Sequence, residues 1–351
     1  MKHRNPIVFG AIATVAAALA FSGCATNSTP TTTTSQPAAS VAPSAAGSSA
    51  APTFNIPKKD KYVIGYSQSN NAEPYRAQVN IQLAYYVKQH SNLELLPISD
   101  AQQDSSRQVS QVQQFIQEKV DFLIVSPNEP DPLTPPVEQA CQAGIPVIIL
   151  DRSVNTNCIA AFIGGDNVAA GKAAGELAAQ LLPNGGNVVE LQGILSDQPQ
   201  IDRDKGFAEG IASNPKITIV KKQEAKWLRA NAEAIMQQWL QSGVKPDLVY
   251  AQNDEMAFGA QIAAQGAGVA GSMKFIGTDG LAIPGGGIRA VQDGQFAGTF
   301  MYPTCAPQAV DTIEAMINGQ PFSSHQTLDV QAITPQNAAS MYTQYDFSSK
   351  S

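Results

Sequence analysis

The strongest constraint on this chain is a recurring pairing, from Lys61 onward, of a short apolar run with an amphipathic segment. KYVIGY (61–66) precedes a stretch, 74–90, in which Val79, Leu83 and Val87 stand one helical turn apart. LELLPI (93–98) precedes 105–119, with Val109, Val112 and Ile116 on one face, and DFLIVS (121–126), VIILD (147–151) and IAAFIG (159–164) follow. The pattern resumes with NVVELQ (187–192), ITIVKK (217–222), DLVYAQ (247–252), KFIGTD (274–279) and FAGTF (296–300), most of them separated by helical patterns such as 229–241 and 255–265. Alternating strand and helix signals predict an α/β fold. Strands without polar alternation predict parallel sheets covered on both faces. About ten strands is too many for one comfortable sheet in 351 residues, so two similar lobes are expected.

Composition narrows the function. With 43% apolar and 15% charged residues the chain can bury real cores, which excludes a disordered or collagen-like protein. The formal charge of −7, more negative still without Lys2 and Arg4, argues against nucleic acid as a partner. Three histidines and four scattered cysteines show no metal-ligand spacing, so neither a metal nor a cofactor is expected. Gly266 to Gly271 spell a formal GxGxxG, but they follow a helical stretch and precede a strand, the reverse of a dinucleotide loop. No GxSxG elbow is present, and the histidines lie away from the strand ends, which removes the usual base for serine or cysteine catalysis.

In open parallel sheets ligands bind beyond the carboxyl ends of the strands, so the residues following each apolar run are the candidates. They are Glu73, Tyr75 and Arg76 after the first run, Asp151-Arg152 after VIIL, Arg203 beyond VVELQ, and Trp227 after ITIVKK. Asn253-Asp254 follow LVYAQ, Asp279 follows FIGT, and Met301-Tyr302 follow AGTF. Carboxylates and arginine forks hydrogen-bond neighbouring hydroxyls in pairs, while aromatic rings cover the C–H faces of a sugar. A phosphate site would offer glycine-rich amides and few acids instead. Taken singly, an aspartate after a strand is an ordinary helix N-cap; it is the coincidence across both halves that points to a polyol or sugar.

The N-terminus carries two positive charges before an apolar stretch, Ile7 to Phe21, that is short for a membrane span, and 1–23 is expected to be a signal peptide. Phe21-Ser22-Gly23-Cys24 resembles the bacterial lipobox, which implies lipidation of Cys24 after cleavage. From Cys24 to Pro57, 26 of 34 residues are Ala, Thr, Ser or Pro, so 24–60 reads as a flexible tether. Cys141, Cys158 and Cys305 remain; Cys141 and Cys158 either bridge a short loop or stay as buried thiols.

LDRS (150–153), VVELQG (188–193), IDRDKGFAEGI (201–211) and AQNDEMAFGA (251–260) resemble the periplasmic sugar-binding proteins of the ribose-binding type, over a span from about Lys61 to near Asp329. The resemblance implies the type I periplasmic binding protein fold, with two Rossmann-like lobes joined by chain crossings near Gly165-Asp166, Tyr302-Pro303 and Asp329-Val330. The lobes would then be 61–165 with 303–329, and 166–302 with 330–351. Position within the motifs implies ligand contacts at Asp151, Arg152, Arg203, Trp227, Asn253 and Asp279. Glu73-Pro74-Tyr75-Arg76 is similar to the first loop of the galactofuranose-binding branch, and Tyr302 stands where the ribose branch has glutamine, which points away from ribose. Asn128 and Glu129, after DFLIVSP, are further candidates for the same cleft.

The function implied is that of a monomeric, lipid-anchored receptor in the periplasm or on the outer face of the cytoplasmic membrane. It would capture a monosaccharide, a hexose in furanose or pyranose form before ribose, and deliver it to the permease of an ABC importer. A receptor that signals to a membrane sensor, and an exported glycosidase using Asp151 with Asp279 or Glu73, are the competing readings.

Overall fold

The computed structural model describes residues 54–348 and residue 350; the expected signal segment, Cys24 and the tether up to residue 53 lie outside the described residues. The first half builds β1 (Tyr62–Gln68), α1 (Pro74–Lys88), β2 (Leu93–Leu95), β3 (Ser99–Asp100), α2 (Ser105–Glu118), β4 (Phe122–Ser126), α3 (Pro130–Gln142), β5 (Val147–Leu150) and β6 (Ala161–Gly165). The second half builds α4 (Asn167–Leu181), β7 (Gly186–Gln192), α5 (Gln198–Ile211), β8 (Ile217–Glu224), α6 (Arg229–Gln241), β9 (Leu248–Ala251), α7 (Asp254–Gly266), β10 (Lys274–Ile276), α8 (Gly287–Gln292) and β11 (Thr299–Met301). The chain then runs through α9 (Ala306–Ile317), β12 (His325–Leu328), β13 (Gln331–Ile333) and α10 (Ala338–Tyr345).

Two parallel sheets result. The first has the order β12-β6-β5-β4-β1-β2, with β3 beside β1. The second has the order β10-β9-β7-β8, extended by parallel bridges, Ile276 to Gly298 and Asp279 to Met301, toward an antiparallel pair of β11 and β13. The apolar runs bury both faces, as a covered parallel sheet demands. Phe122 and Ile124 of β4 pack on one side with Val79 and Leu83 of α1, while Leu123 and Val125 pack on the other with Val112 of α2 and Val137 of α3. The second sheet repeats the arrangement, with Val189 and Leu191 facing α6 and α7, and Val188 facing α4 and α5.

The strands β3, β12 and β13 are not visible as apolar runs, because each has two to four residues and polar members such as His325, Gln326 and Gln331. Of these, β12 and β13 mark where the chain changes sheet. It leaves the first sheet after β6, returns after β11 to form α9 and β12, and enters the second again at β13. Cys141 and Cys158 form a disulfide with Cα atoms 5.8 Å apart, tying the end of α3 to the loop before β6, and Cys305 is a buried free thiol.

One crossing sets the site directly. A Cβ on Gly206 of α5 would strike the carbonyl of Val168, and one on Gly171 of α4 would strike the carbonyl of Arg203. Without side chains at these positions the two helix backbones approach closely, which brings Arg203 within reach of Asn167 at the start of α4.

Candidate functional site

The carboxyl ends of both sheets meet around a small cavity lined by Glu73, Tyr75, Arg76, Asp151, Arg152, Arg203, Trp227, Asn253, Asp279 and Tyr302, together with Pro199. None of the ten strand-end residues is more than 6% exposed. Local geometry explains their placement. Glu73 occupies the N-cap position of α1 with Pro74 as the first helical residue, so the next turn presents Tyr75 and Arg76. Asp151 (φ +66°), Trp227 (φ +68°) and Asp279 (φ +136°) hold backbone conformations rarely adopted by side-chain-bearing residues. Such strain, of order 1–3 kcal/mol per residue, persists only where the surroundings enforce it and clusters at functional sites.

Three guanidiniums span the cavity. Arg76 donates to Ser126 Oγ at 2.7 Å and to Asp151 Oδ2 at 2.6 Å. Arg152 donates to the Asn128 carbonyl at 3.1 Å, and its Nε lies 3.2 Å from Asp197 Oδ2, an ion pair rather than an aligned hydrogen bond. Arg203 donates from Nε to Asn167 Oδ1 at 2.9 Å and from Nη1 to the Gln252 carbonyl at 2.6 Å. It stacks 4.6 Å from the Tyr302 ring centroid and 5.5 Å from that of Trp227.

The carboxylates divide by environment. Burial pushes the Asp151 carboxyl up, but Arg76, Arg152 and Arg203 outweigh it and hold the group below its ordinary range, so it stays ionised. Asp279 is pushed well up by burial and by the neighbouring Asp254, against the pull of Arg203. No side-chain hydrogen bond reaches it from the described residues, while Asp254 accepts from Thr299 at 2.6 Å and from the Gly280 amide at 2.9 Å. Asp279 is therefore a carboxyl whose environment lacks the donors that would ionise it comfortably.

The aromatic walls are pinned at their polar ends. Tyr75 donates to the Pro303 carbonyl at 2.9 Å and meets the Tyr302 ring edge-on at 5.7 Å. Tyr302 Oη accepts from the Gly165 amide and from Asn167 Nδ2, both at 3.1 Å. Trp227 Nε1 donates to Asp197 Oδ2 at 2.9 Å. Asn253 is also a helix N-cap, its Oδ1 accepting from the Met256 amide at 2.9 Å while Nδ2 donates to the Trp227 carbonyl at 3.1 Å.

Asn128 and Glu129 do not line the cavity. The Asn128 amide donates to Ser105 Oγ and the Gln103 carbonyl, and Glu129 accepts from Ser105 and Ser196 at the rim. Sequence reasoning missed two supporting residues. Asn167 is reachable by the strand-end argument, since it follows β6 by two residues; Asp197 ends the loop of mixed polarity between β7 and α5, and no pattern singles it out.

Comparison with known proteins agrees with this architecture. Residues 64–321 match the periplasmic binding protein domain model. The chain is 34% identical over 250 residues to the xylitol-binding protein of Mycolicibacterium smegmatis, covering 70% of each, and 31% identical over 243 residues to the ribose import binding protein of Escherichia coli K12, covering 69% of this chain and 80% of the relative. Among solved structures, the fructose-binding periplasmic domain of a hybrid two-component system superposes with a TM-score of 0.77 at 34% identity, covering 81% of this chain and 94% of the other. Two parallel-sheet lobes with strand ends facing one polar, aromatic-walled cavity, and matches of this extent, make the chain a member of the periplasmic binding protein family, of the ribose-binding type, which binds solutes and does not transform them.

Proposed function

We propose that the protein captures a single uncharged monosaccharide or polyol between its lobes and hands it to the permease of an ABC importer. The observation that carries the reading is the mixture of groups inside the cavity: three guanidiniums and the carboxyls of Glu73, Asp151 and Asp279 stand between the rings of Tyr75, Trp227 and Tyr302, and Asp151 is held ionised. An anion would leave a carboxylate opposed, whereas a neutral polyhydroxylated ring offers each group a hydroxyl and each aromatic wall a C–H face. Xylitol, ribose and fructose, which name the relatives above, share that chemistry. The Tyr75-Arg76 pair and Tyr302 favour a hexose, in furanose or pyranose form, over ribose. The chain would work as a monomer, divided into lobes at the boundaries expected from sequence, and the segment ending in Cys24 would supply export and a lipid anchor.

A thermal-shift screen with pentoses, hexoses, hexitols, inositols and sugar acids tests the reading, because a ligand that binds only the folded state raises its stability. A neutral sugar should give the largest shift. Stabilisation by sugar acids alone would overturn it. The fructose-binding relative belongs to a two-component system, which keeps a sensory role as the second reading. Uptake of the ligand in cells lacking the protein separates the two, since only a transport receptor is needed for import.

A further inference from the structure

We propose that Asp197 is a positioning residue of the site, a carboxylate on one lobe whose second partner, Arg152, belongs to the other lobe and is met only when the cleft is closed. The inference rests on the proposed sugar-binding function and adds the group that sets how long the ligand stays.

Asp197 occupies the N-cap position of α5 in the second lobe, makes no side-chain capping bond, and is fully buried. Its Oδ2 accepts from Trp227 Nε1 at 2.9 Å, a partner on the same lobe. The same oxygen lies 3.2 Å from Nε of Arg152, which stands at the end of β5 in the first lobe and is itself 1% exposed. Two further contacts cross the cleft nearby: Ser196 Oγ donates to Glu129 at 3.4 Å, and Gln103 Nε2 donates to the Lys226 carbonyl at 3.3 Å. Glu129, a candidate for the cavity, therefore works at the rim. The two rim contacts are long and involve exposed atoms, so they carry little energy, whereas Arg152 and Asp197 are both out of water.

The geometry gives Asp197 two jobs. It fixes the Trp227 ring against the cavity in either state, since that hydrogen bond stays within one lobe. On closure it meets Arg152, whose remaining hydrogen bond goes to the Asn128 carbonyl of its own lobe. Opening the cleft separates two buried charges and must rehydrate both. An interaction formed after encounter and broken before release acts on dissociation more than on association.

The test is Asp197→Asn, which keeps an oxygen for the Trp227 indole and removes the charge facing Arg152. Stopped-flow Trp fluorescence is recorded with whichever of D-galactose, D-fructose, D-ribose, xylitol or myo-inositol most stabilises the unmodified protein. Dissociation should accelerate roughly thirtyfold or more, association should change by less than about threefold, and the unliganded protein should unfold at no lower temperature. Asp197→Glu, which restores the charge, should recover part of the slow dissociation. Unchanged dissociation in Asp197→Asn overturns the proposal, as does faster dissociation accompanied by a lowered melting temperature and no recovery in Asp197→Glu, since that combination marks a purely structural role. If the unmodified protein binds none of the five, it is the sugar-binding reading that fails, a result distinct from either.

Discussion

Replacing Glu190 by glutamine should stabilise the unliganded protein in mildly alkaline solution and leave it nearly unchanged at pH 5. Glu190 sits in the middle of β7, fully buried, and accepts from Gln252 Nε2 at 2.8 Å; Lys222 Nζ lies 3.1 Å from its other oxygen. Lys222 also pairs with Asp204, whose side chain is a third exposed. Burial accordingly pushes Glu190 up from 4.5 to about 7 despite the ammonium beside it. A carboxyl with a raised folded-state value contributes stability that is complete below about 4.5 and is lost as the pH rises through about 7. At 1.36 kcal/mol per pH unit, that loss is about 3 kcal/mol by pH 8.5. Glutamine keeps the hydrogen bond with Gln252 and has no charge to desolvate. The attraction of Lys222 is already contained in the raised value, so the net gain is about 3 kcal/mol at pH 8.5. Urea unfolding of both proteins at pH 5 and pH 8.5 reads it directly, and the buried Asp197 and Asp254, each raised to about 6, cancel in the difference. Equal destabilisation of the variant at both pH values would refute the reasoning, because it would mean that Glu190 is ionised in the fold and serves Lys222.

Arg152→Ala and Asp279→Ala should each weaken sugar binding by at least about 2 kcal/mol in titration calorimetry, since each leaves cleft groups unpaired. Asp279→Ala should also leave the unliganded protein no less stable at neutral pH, because it removes a carboxyl whose ionisation the fold resists. Replacing both Cys141 and Cys158 by serine should cost about 3 kcal/mol in denaturant unfolding, the loop-closure value for a bridge spanning 17 residues. Gly206→Ala should lower stability by about 1–3 kcal/mol and weaken sugar binding together, as α5 is pushed from α4 and Arg203 from Asn167. Weakened binding without any stability loss would point to a different route from Gly206 to the site.

The site is legible in unusual detail because a parallel sheet turns one-dimensional order into geometry. Within each parallel sheet the strands point the same way, so the residue after each apolar run arrives at the same edge. That is why Arg76, Asp151, Arg203, Trp227 and Asp279, spread over two hundred positions, can be named together from the order of residues alone. Asn128 and Glu129 follow a strand too, yet they turn to Ser105, Gln103 and Ser196, because side-chain direction in a loop depends on neighbours from other segments. Asn253 reads as a ligand candidate and is a helix cap, and both readings follow from its position at the start of α7.

The α/β class, the positions of the long strands and the strand-end set all follow from the linear order of residues, since hydrophobic periodicity and the polar residues that interrupt it are local properties of the chain. Which charges meet is a matter of three dimensions. The pairing of Cys141 with Cys158, the ion pair of Arg152 with Asp197, the raised carboxyl of Asp279 and the left-handed backbone of Asp151 and Trp227 each depend on groups far away in sequence. Electrostatics and strain in a buried site are set by distance and exclusion of water, and neither is defined until the two sheets have brought their edges together.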